Sequence, residues 1–195
     1  MKRLVTLAFA GIMLLSATAC KSSGVAGSTE NGLDTAFQTE AQITLDQMKA
    51  SGTLCRFGEG VWEIEFDSPN TLSGVKLEFT DGTSTASYKG LSFSVPQSAL
   101  PVKSMMSNLI SVTDELARNE ELSGESENGE LKIKGSLESG DYILTADESG
   151  NIRRFEMPNM NLVMEFGEIT EIGSKPEETT APPETESVSE TTSST

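Results

Sequence analysis

The stretch VWEIEFDSPNTLSGVKLEFTDGTSTASYKGLSFSV, residues 61–95, decides the fold that the sequence predicts. Three runs in it alternate apolar with polar residues: Trp62, Ile64 and Phe66; Val75, Leu77 and Phe79; Leu91, Phe93 and Val95. A period of two puts one apolar face of a strand on a core and leaves the other face in water. Asp81-Gly82 supplies the positive-φ residues of a tight hairpin. The stretch therefore predicts an antiparallel β-meander.

The chain on either side of this stretch extends the sheet and adds one helix. Residues 37–45 alternate in the same way, and further short strands separated by turn signals are expected between residues 131 and 166. Apolar residues recur at helical spacing from residue 99 to 119: Val102, Met105, Met106, Leu109, Val112 and Leu116. The opposite side is polar: Lys103, Ser107, Asn108, Ser111, Asp114 and Arg118. We expect an amphipathic helix whose apolar side lies on the sheet.

Composition and charge restrict the classes of function. The 195 residues include 30 acidic and 14 basic side chains, a net charge of −16. Such a chain repels nucleic acid and anionic lipid head groups, so we expect no nucleic-acid partner. The chain has 0 histidines, which removes the commonest general base and metal ligand. The acidic stretch 119–130 lacks the spacing of a calcium loop and is interpreted as a solvated loop, so no metal or cofactor is expected.

Two cysteines are present, and neither belongs to a catalytic motif. If Cys20 carries a lipid, Cys55 has no partner for a disulfide within the chain. Because no histidine is available to activate its thiol, we interpret Cys55 as a small half-buried strand residue rather than a nucleophile. No other arrangement of side chains indicates catalysis, and we do not expect an enzyme.

The N-terminal residues have the layout of an export signal. Lys2 and Arg3 precede an apolar run that is too short for a comfortable membrane span, and small residues lead to Cys20. The segment SATAC, residues 16–20, resembles a bacterial lipobox, although Ala17 stands where Leu is usual. That resemblance implies cleavage after residue 19 and a diacylglycerol thioether on Cys20. The alternative is an ordinary signal peptide cut near Ala19.

The segments that flank the sheet have the composition of linkers. Residues 20–33 are rich in Ser and Gly and predict a flexible tether, with the folded domain covering residues 34–172. Residues 173–195 consist mainly of Thr, Ser, Glu and Pro and predict a disordered tail, because they hold almost no apolar surface to bury. The tail suits O-glycosylation or contact with a cell-wall polymer, whereas a solubilising extension is the simpler interpretation.

Residues 36–170 resemble the LolA/LppX-like superfamily of lipoprotein and lipid carriers, as found in exported lipoproteins of uncharacterised function. The resemblance rests on FQTEAQITL, on GVWEIEFDSPNTLSGVKLEFTDG, on YKGLSF, and on a helix placed before a second set of strands. It implies an α+β, mostly β fold: a curved antiparallel sheet, or incomplete barrel, with the helix at 99–119 on its concave face. The chain departs from the family by lacking a clear N-terminal helix, which puts a fully sealed cavity in doubt.

The resemblance implies a lipid or other hydrophobic ligand bound between sheet and helix. The candidates for such a pocket are Trp62, Phe66, Phe79, Phe93, Met105, Met106, Leu109, Met160, Met164 and Phe166. Methionine and aromatic side chains suit adaptable apolar surfaces but equally fill ordinary cores. The protein is expected at the outer face of the cell membrane, anchored through Cys20. The alternative is a structural or regulatory lipoprotein with a closed core and an envelope protein as its partner.

Overall fold

A computed structural model describes residues 25–80, 82–96, 103–173 and 175 of the chain. Several predicted features lie outside these residues: the signal peptide at 1–19, the lipidation site Cys20, the turn residue Asp81, the start of the predicted helix, and all of the tail beyond Lys175.

The described chain consists of thirteen strands, one α-helix and a single 3-10 turn at Pro158–Met160. The first seven strands are β1 (Val25–Glu30), β2 (Phe37–Leu45), β3 (Met48–Gly58), β4 (Val61–Ser68), β5 (Lys76–Thr80), β6 (Thr83–Tyr88) and β7 (Leu91–Pro96). The helix α1 (Lys103–Leu116) follows. The remaining strands are β8 (Glu121–Glu127), β9 (Glu130–Leu137), β10 (Gly140–Ala146), β11 (Ile152–Met157), β12 (Leu162–Phe166) and β13 (Thr170–Glu171).

All thirteen strands belong to one open antiparallel sheet. Its order is β1-β8-β9-β10-β11-β12-β2-β3-β4-β5-β6-β7, and β13 pairs with β2 beside this path. The sheet thus combines two meanders, β2–β7 and β8–β12, which join where β12 pairs with β2. The predicted fold class is confirmed: the protein is mostly β, with a single helix in the described chain and a sheet that does not close into a barrel.

The core lies on one face of this sheet, beneath α1. The helix contacts β3 and β4 through Asp114, and it contacts the end of β11 through Asn108, whose Nδ2 lies 3.1 Å from the Met157 sulfur. Two strands, β12 and β2, separate these contacts in the order of the sheet. These contacts place α1 across the neighbouring strands from β11 to β4 on the core face of the open sheet, which is the concave face of the predicted fold.

The helix is shorter than the predicted range 99–119. It ends at Leu116, where the side-chain amide of Asn31 donates to the carbonyl oxygens of Leu116 and Asn119 at 2.9 and 2.7 Å. The prediction also placed Asp114 on the solvent side, and this is wrong: Asp114 is buried. Its carboxylate is accommodated there because it accepts hydrogen bonds from the sheet.

The fold begins earlier than predicted. Residues 20–33 were expected to form a tether, yet β1 pairs with β8 from Val25 opposite Ser126 to Glu30 opposite Glu121. Leu33 is fully buried in the core. β1 is an edge strand, and β8 satisfies the backbone groups on its inner side. Because this stabilisation comes from the backbone, the sequence VAGSTE needs no periodic apolar pattern.

The described chain continues past its last strand. After β13, the Ile172 amide donates to the Ala36 carbonyl at 3.0 Å. Lys175 then forms an ion pair with Glu78 on the polar face of β5. The described chain therefore leaves the sheet on the side opposite to the core.

Candidate functional site

The concave face continues past the region that surrounds α1. Ile64 on β4, Leu77 on β5, Ala86 on β6 and Phe93 on β7 lie opposite one another in successive ladders, so their side chains share one face of the sheet. Ile64 is 0% exposed, Leu77 and Ala86 are half-buried, and Phe93 is 62% exposed. The core face therefore opens toward the β7 end of the sheet.

A second apolar pair adjoins Phe93 on the same face. Tyr88 lies opposite Leu91, and the two side chains are 43% and 77% exposed. We call the surface formed by Leu77, Ala86, Tyr88, Leu91 and Phe93 the open face. Single exposed apolar residues are normal, whereas a contiguous group of them marks an interaction surface. The open face is the candidate site of this protein.

Polar groups stand at two borders of the open face. Ser84 lies on the same face of β6 as Ala86, is only 1% exposed, and its hydroxyl has no hydrogen-bond partner among the described residues. A buried hydroxyl without a partner costs free energy. At the hairpin turn, the Lys89 ammonium lies 4.9 Å from the centre of the Tyr88 ring. The surface is thus apolar with one neutral and one cationic polar group.

Most of the predicted pocket residues lie in the closed part of the core. Eight of the ten belong to one buried cluster: Trp62, Phe66, Phe79, Met105, Met106, Leu109, Met164 and Phe166. Met160 is partly buried against that cluster, and Phe93 lies outside it on the open face. The structure thus brings nine of the ten together as packed core and leaves one accessible to a ligand.

Sequence reasoning named Phe93 as a pocket candidate but did not recognise the hairpin β6–β7 around it as an exposed apolar surface. Its strands read TSTASY and LSFSVP, and they are the two strands without a charged residue among the thirteen described. In a chain of net charge −16, an uncharged pair of neighbouring strands is a signal of a surface that is not simply solvated. That signal was present in the sequence.

A buried polar cluster fastens α1 to the sheet. The Arg56 Nε donates to Asp114 Oδ1 at 3.1 Å, and the Gly60 amide donates to Asp114 Oδ2 at 2.8 Å. The Trp62 indole N–H lies 3.3 Å from the same carboxylate, and the Arg56 guanidinium lies 5.8 Å from the Trp62 ring centre. Arg56 also donates to the carbonyl of Thr35. Since these groups satisfy one another, the cluster is a structural clamp rather than a site for a substrate.

The polar face of the sheet offers little chemistry. Burial raises the pKa of the Cys55 thiol, and the negative charge of Glu63 raises it further. A smaller fraction of the thiol is therefore ionised at neutral pH. No group of three or more Cys, Asp or Glu side chains within the described ranges is arranged to hold a metal ion. Elsewhere on the sheet, a depression of about 490 Å³ is lined by residues of β9 and β10, including Tyr142, which packs against the core, and one of about 390 Å³ is lined mainly by polar residues such as Gln38 and Glu168.

The described part of the chain contains no helix of the length and apolar character that a membrane crossing requires.

Comparison with known proteins finds likeness in fold. No protein-family model matches the chain, and no curated protein is similar to it in sequence. The fold is similar to that of an uncharacterised conserved protein from Thermus thermophilus, with a TM-score of 0.49 and 14% identity over 73% of this chain and 82% of that one. It is also similar to a LolA superfamily protein from Nitrosomonas europaea, with a TM-score of 0.34 and 8% identity over 73% and 88% of the two chains.

Proposed function

We propose that the protein binds an acyl chain or a similar hydrophobic ligand on the open face. One observation carries this proposal: Leu91 and Phe93 are 77% and 62% exposed on the face of the sheet that elsewhere forms the core. Because burying a large apolar side chain is worth about 1.5–3 kcal/mol, an apolar ligand that covers both gains substantial free energy. The ligand lies beside α1 rather than beneath it, where Met106 and Leu109 are already fully buried.

The borders of the open face favour an amphipathic ligand. Lys89 offers a charge-assisted hydrogen bond to an acidic head group. The surrounding surface is acidic, so an anionic ligand needs such a cation to approach. A fatty acid or a lipid with one acidic head group meets these requirements.

The proposal includes export and anchoring through a diacylglycerol thioether on Cys20. Its support is the order of basic, apolar and small residues before that cysteine. The first described strand begins at Val25, and five residue steps extend to at most about 18 Å, so an anchored domain lies close to the bilayer. The anchor keeps the domain at a source of lipid, while the open face lies at the opposite end of the strand order from β1.

Binding of a fluorescent fatty acid to the purified protein carrying Cys20→Ser tests the proposal. We expect saturable binding, and we expect Phe93→Ser to weaken it by about tenfold or more because one large apolar contact is lost. The matched control is Met48→Ser, which replaces another exposed apolar residue, 43% accessible, outside the open face. Both exposed substitutions are expected to change the free energy of unfolding by less than about 1 kcal/mol.

A core variant separates loss of the site from loss of the fold. Met106 is 0% exposed, so Met106→Ala is expected to lower the free energy of unfolding by about 2–5 kcal/mol and to leave probe affinity unchanged in the folded fraction. If the parent protein shows no saturable binding, or if Met48→Ser weakens binding as much as Phe93→Ser, the proposal of a hydrophobic ligand on the open face fails. The closed core then supports the alternative, a structural or regulatory lipoprotein that meets an envelope partner.

A further inference from the structure

The outer edge of β7 carries backbone groups that no described strand satisfies. β7 is the last strand in the order of the sheet and pairs on one side with β6. Natural sheets usually protect such an edge with charges, a bulge or a proline within the strand. β7 has no charged residue, pairs with β6 without a register shift, and reaches a proline only at its last position, Pro96. It is therefore an edge open to pairing.

The hairpin geometry identifies the backbone groups that face outward. Lys89 and Gly90 have φ values of 49° and 82°, as in a type I′ turn, so Tyr88 and Leu91 form the hydrogen-bonded pair next to the turn. Alternation then makes Phe93 a hydrogen-bonded partner of β6 and leaves the N–H and C=O of Ser92 and Ser94 pointing outward. The close Thr85–Ser94 hydroxyl contact, 2.8 Å, fits a non-hydrogen-bonded pair at that position.

The sequence of β7 is symmetric about Phe93. Reading LSFSV in either direction gives apolar, Ser, Phe, Ser, apolar. In an antiparallel pair of two such strands centred on Phe93, Ser92 of one copy lies opposite Ser94 of the other. These are the residues whose backbone groups face outward, so they form the hydrogen-bonded pairs. Phe93 then lies opposite Phe93 in a non-hydrogen-bonded pair, where the side chains approach most closely.

We propose that two copies of the chain dimerise through antiparallel pairing of β7 with β7, with the two-fold axis at Phe93. The distribution of charge favours self-association at the β7 edge. The chain carries −16, so most surfaces of two copies repel each other, whereas β6 and β7 contain no charged residue. The pairing merges the two sheets into one and brings the two open faces side by side. A contact of one short strand per copy is small, so the dimer forms in a concentration-dependent way.

Sedimentation velocity of the protein carrying Cys20→Ser, over a concentration series from about 1 µM to 1 mM, tests the association. We expect a monomer–dimer equilibrium that Ser92→Pro abolishes, because proline removes an outward N–H while leaving the pairing with β6 intact. Ser92→Ala, which keeps that N–H, should dimerise like the parent. Since Ser92→Pro retains Leu91 and Phe93, it should still bind the fatty acid probe. A parent that stays monomeric over the whole series, or a Ser92→Pro variant that still dimerises, overturns the proposal.

Disulfide cross-linking tests the register without relying on a proline variant. In a background of Cys20→Ser and Cys55→Ser, Phe93→Cys should cross-link to itself under mild oxidation, because Cα atoms in a non-hydrogen-bonded pair lie about 4.5 Å apart. Leu91→Cys alone should cross-link poorly, since it lies opposite Val95. The combination of Leu91→Cys with Val95→Cys should restore the cross-link. Equal cross-linking of the two single variants contradicts a two-fold axis at Phe93.

Discussion

Asp114 is the residue at which the polar contacts between helix and sheet converge. Its carboxylate accepts from Arg56, Gly60 and Trp62, and it is 7% exposed. A buried ion pair adds little net stability compared with an apolar pair of the same shape, but removing one member leaves an uncompensated charge. Asp114 therefore fixes where α1 lies on the sheet more than it adds to the free energy of folding.

Asp114→Ala is expected to lower the free energy of unfolding by about 3–5 kcal/mol, because Arg56 is then buried without a counter-charge. Urea denaturation followed by tryptophan fluorescence measures this change, since Trp62 is the single tryptophan and contacts the carboxylate. Glu115→Ala is the matched control, because Glu115 is the next residue and is exposed. If Asp114→Ala lowers the free energy of unfolding as little as Glu115→Ala does, Arg56 has another partner for its charge.

Sequence reasoning reached the apolar positions of the core but not this polar cluster. In β3, Arg56 stands at an inward position two residues after Leu54, and a charged residue there indicates a buried partner. The identity of that partner depends on where the helix crosses the strands. The helical periodicity grouped Asp114 with the polar residues on the solvent side. Periodicity carries no information about a carboxylate that is buried because it pairs with an arginine from a distant strand.

At the scale of the element, β1 and β8 are the strands that alternation does not reveal, and the interpretation of residues 119–130 as a solvated loop is wrong, because β8 (Glu121–Glu127) lies within it. VAGSTE contains one large apolar residue, Val25, which is 73% exposed. The strand exists because the backbone of β8 pairs with it, a contact between segments that are far apart in the sequence. By contrast, the hairpins between neighbouring strands could be predicted, because turn residues and the period of two are local signals.

A chain that begins at Asn31 should be less stable than a chain that begins at Val25. Removing β1 uncovers β8, where Leu122 lies opposite Thr29 and is 0% exposed. We expect the free energy of unfolding to fall by about 2 kcal/mol or more, the value of burying one leucine side chain. Urea midpoints of the two truncated chains measure the difference. Equal midpoints would show that β1 adds nothing measurable to the stability of the folded domain.

At the scale of the whole molecule, the sequence predicts a lipid anchor immediately before the folded domain. Cys20→Ser should move the protein from the membrane fraction to the soluble fraction and abolish incorporation of labelled fatty acid. Cys55→Ser is the matched control, because it removes the other cysteine and keeps the anchor. A Cys20→Ser protein that still sediments with membranes and still incorporates the label contradicts the assignment.

The open face shows why the candidate site could be predicted only in part. Phe93 was recognised as an inward residue from the alternation of β7, and its pairing with Ala86 agrees with that. Its exposure depends on how far the helix extends over the sheet and on how many strands lie beyond it. A periodic pattern specifies which side of a strand is apolar, but the coverage of that side is a property of the assembled molecule.

The junction between β12 and β2 has a consequence for how the chain folds. The ladders within each meander join neighbouring strands, whereas β2 and β12 lie at opposite ends of the described chain in sequence. Closing a flexible loop of roughly a hundred residues costs about 4 kcal/mol of chain entropy, which grows only with the logarithm of its length. We therefore expect each meander to form from local contacts before β2 pairs with β12. A break in the backbone between Pro96 and Lys103 separates the ladders of β2–β7 from those of β8–β12, and the pairings of β1 with β8, of β12 with β2 and of β13 with β2 are then expected to form only when the two fragments associate.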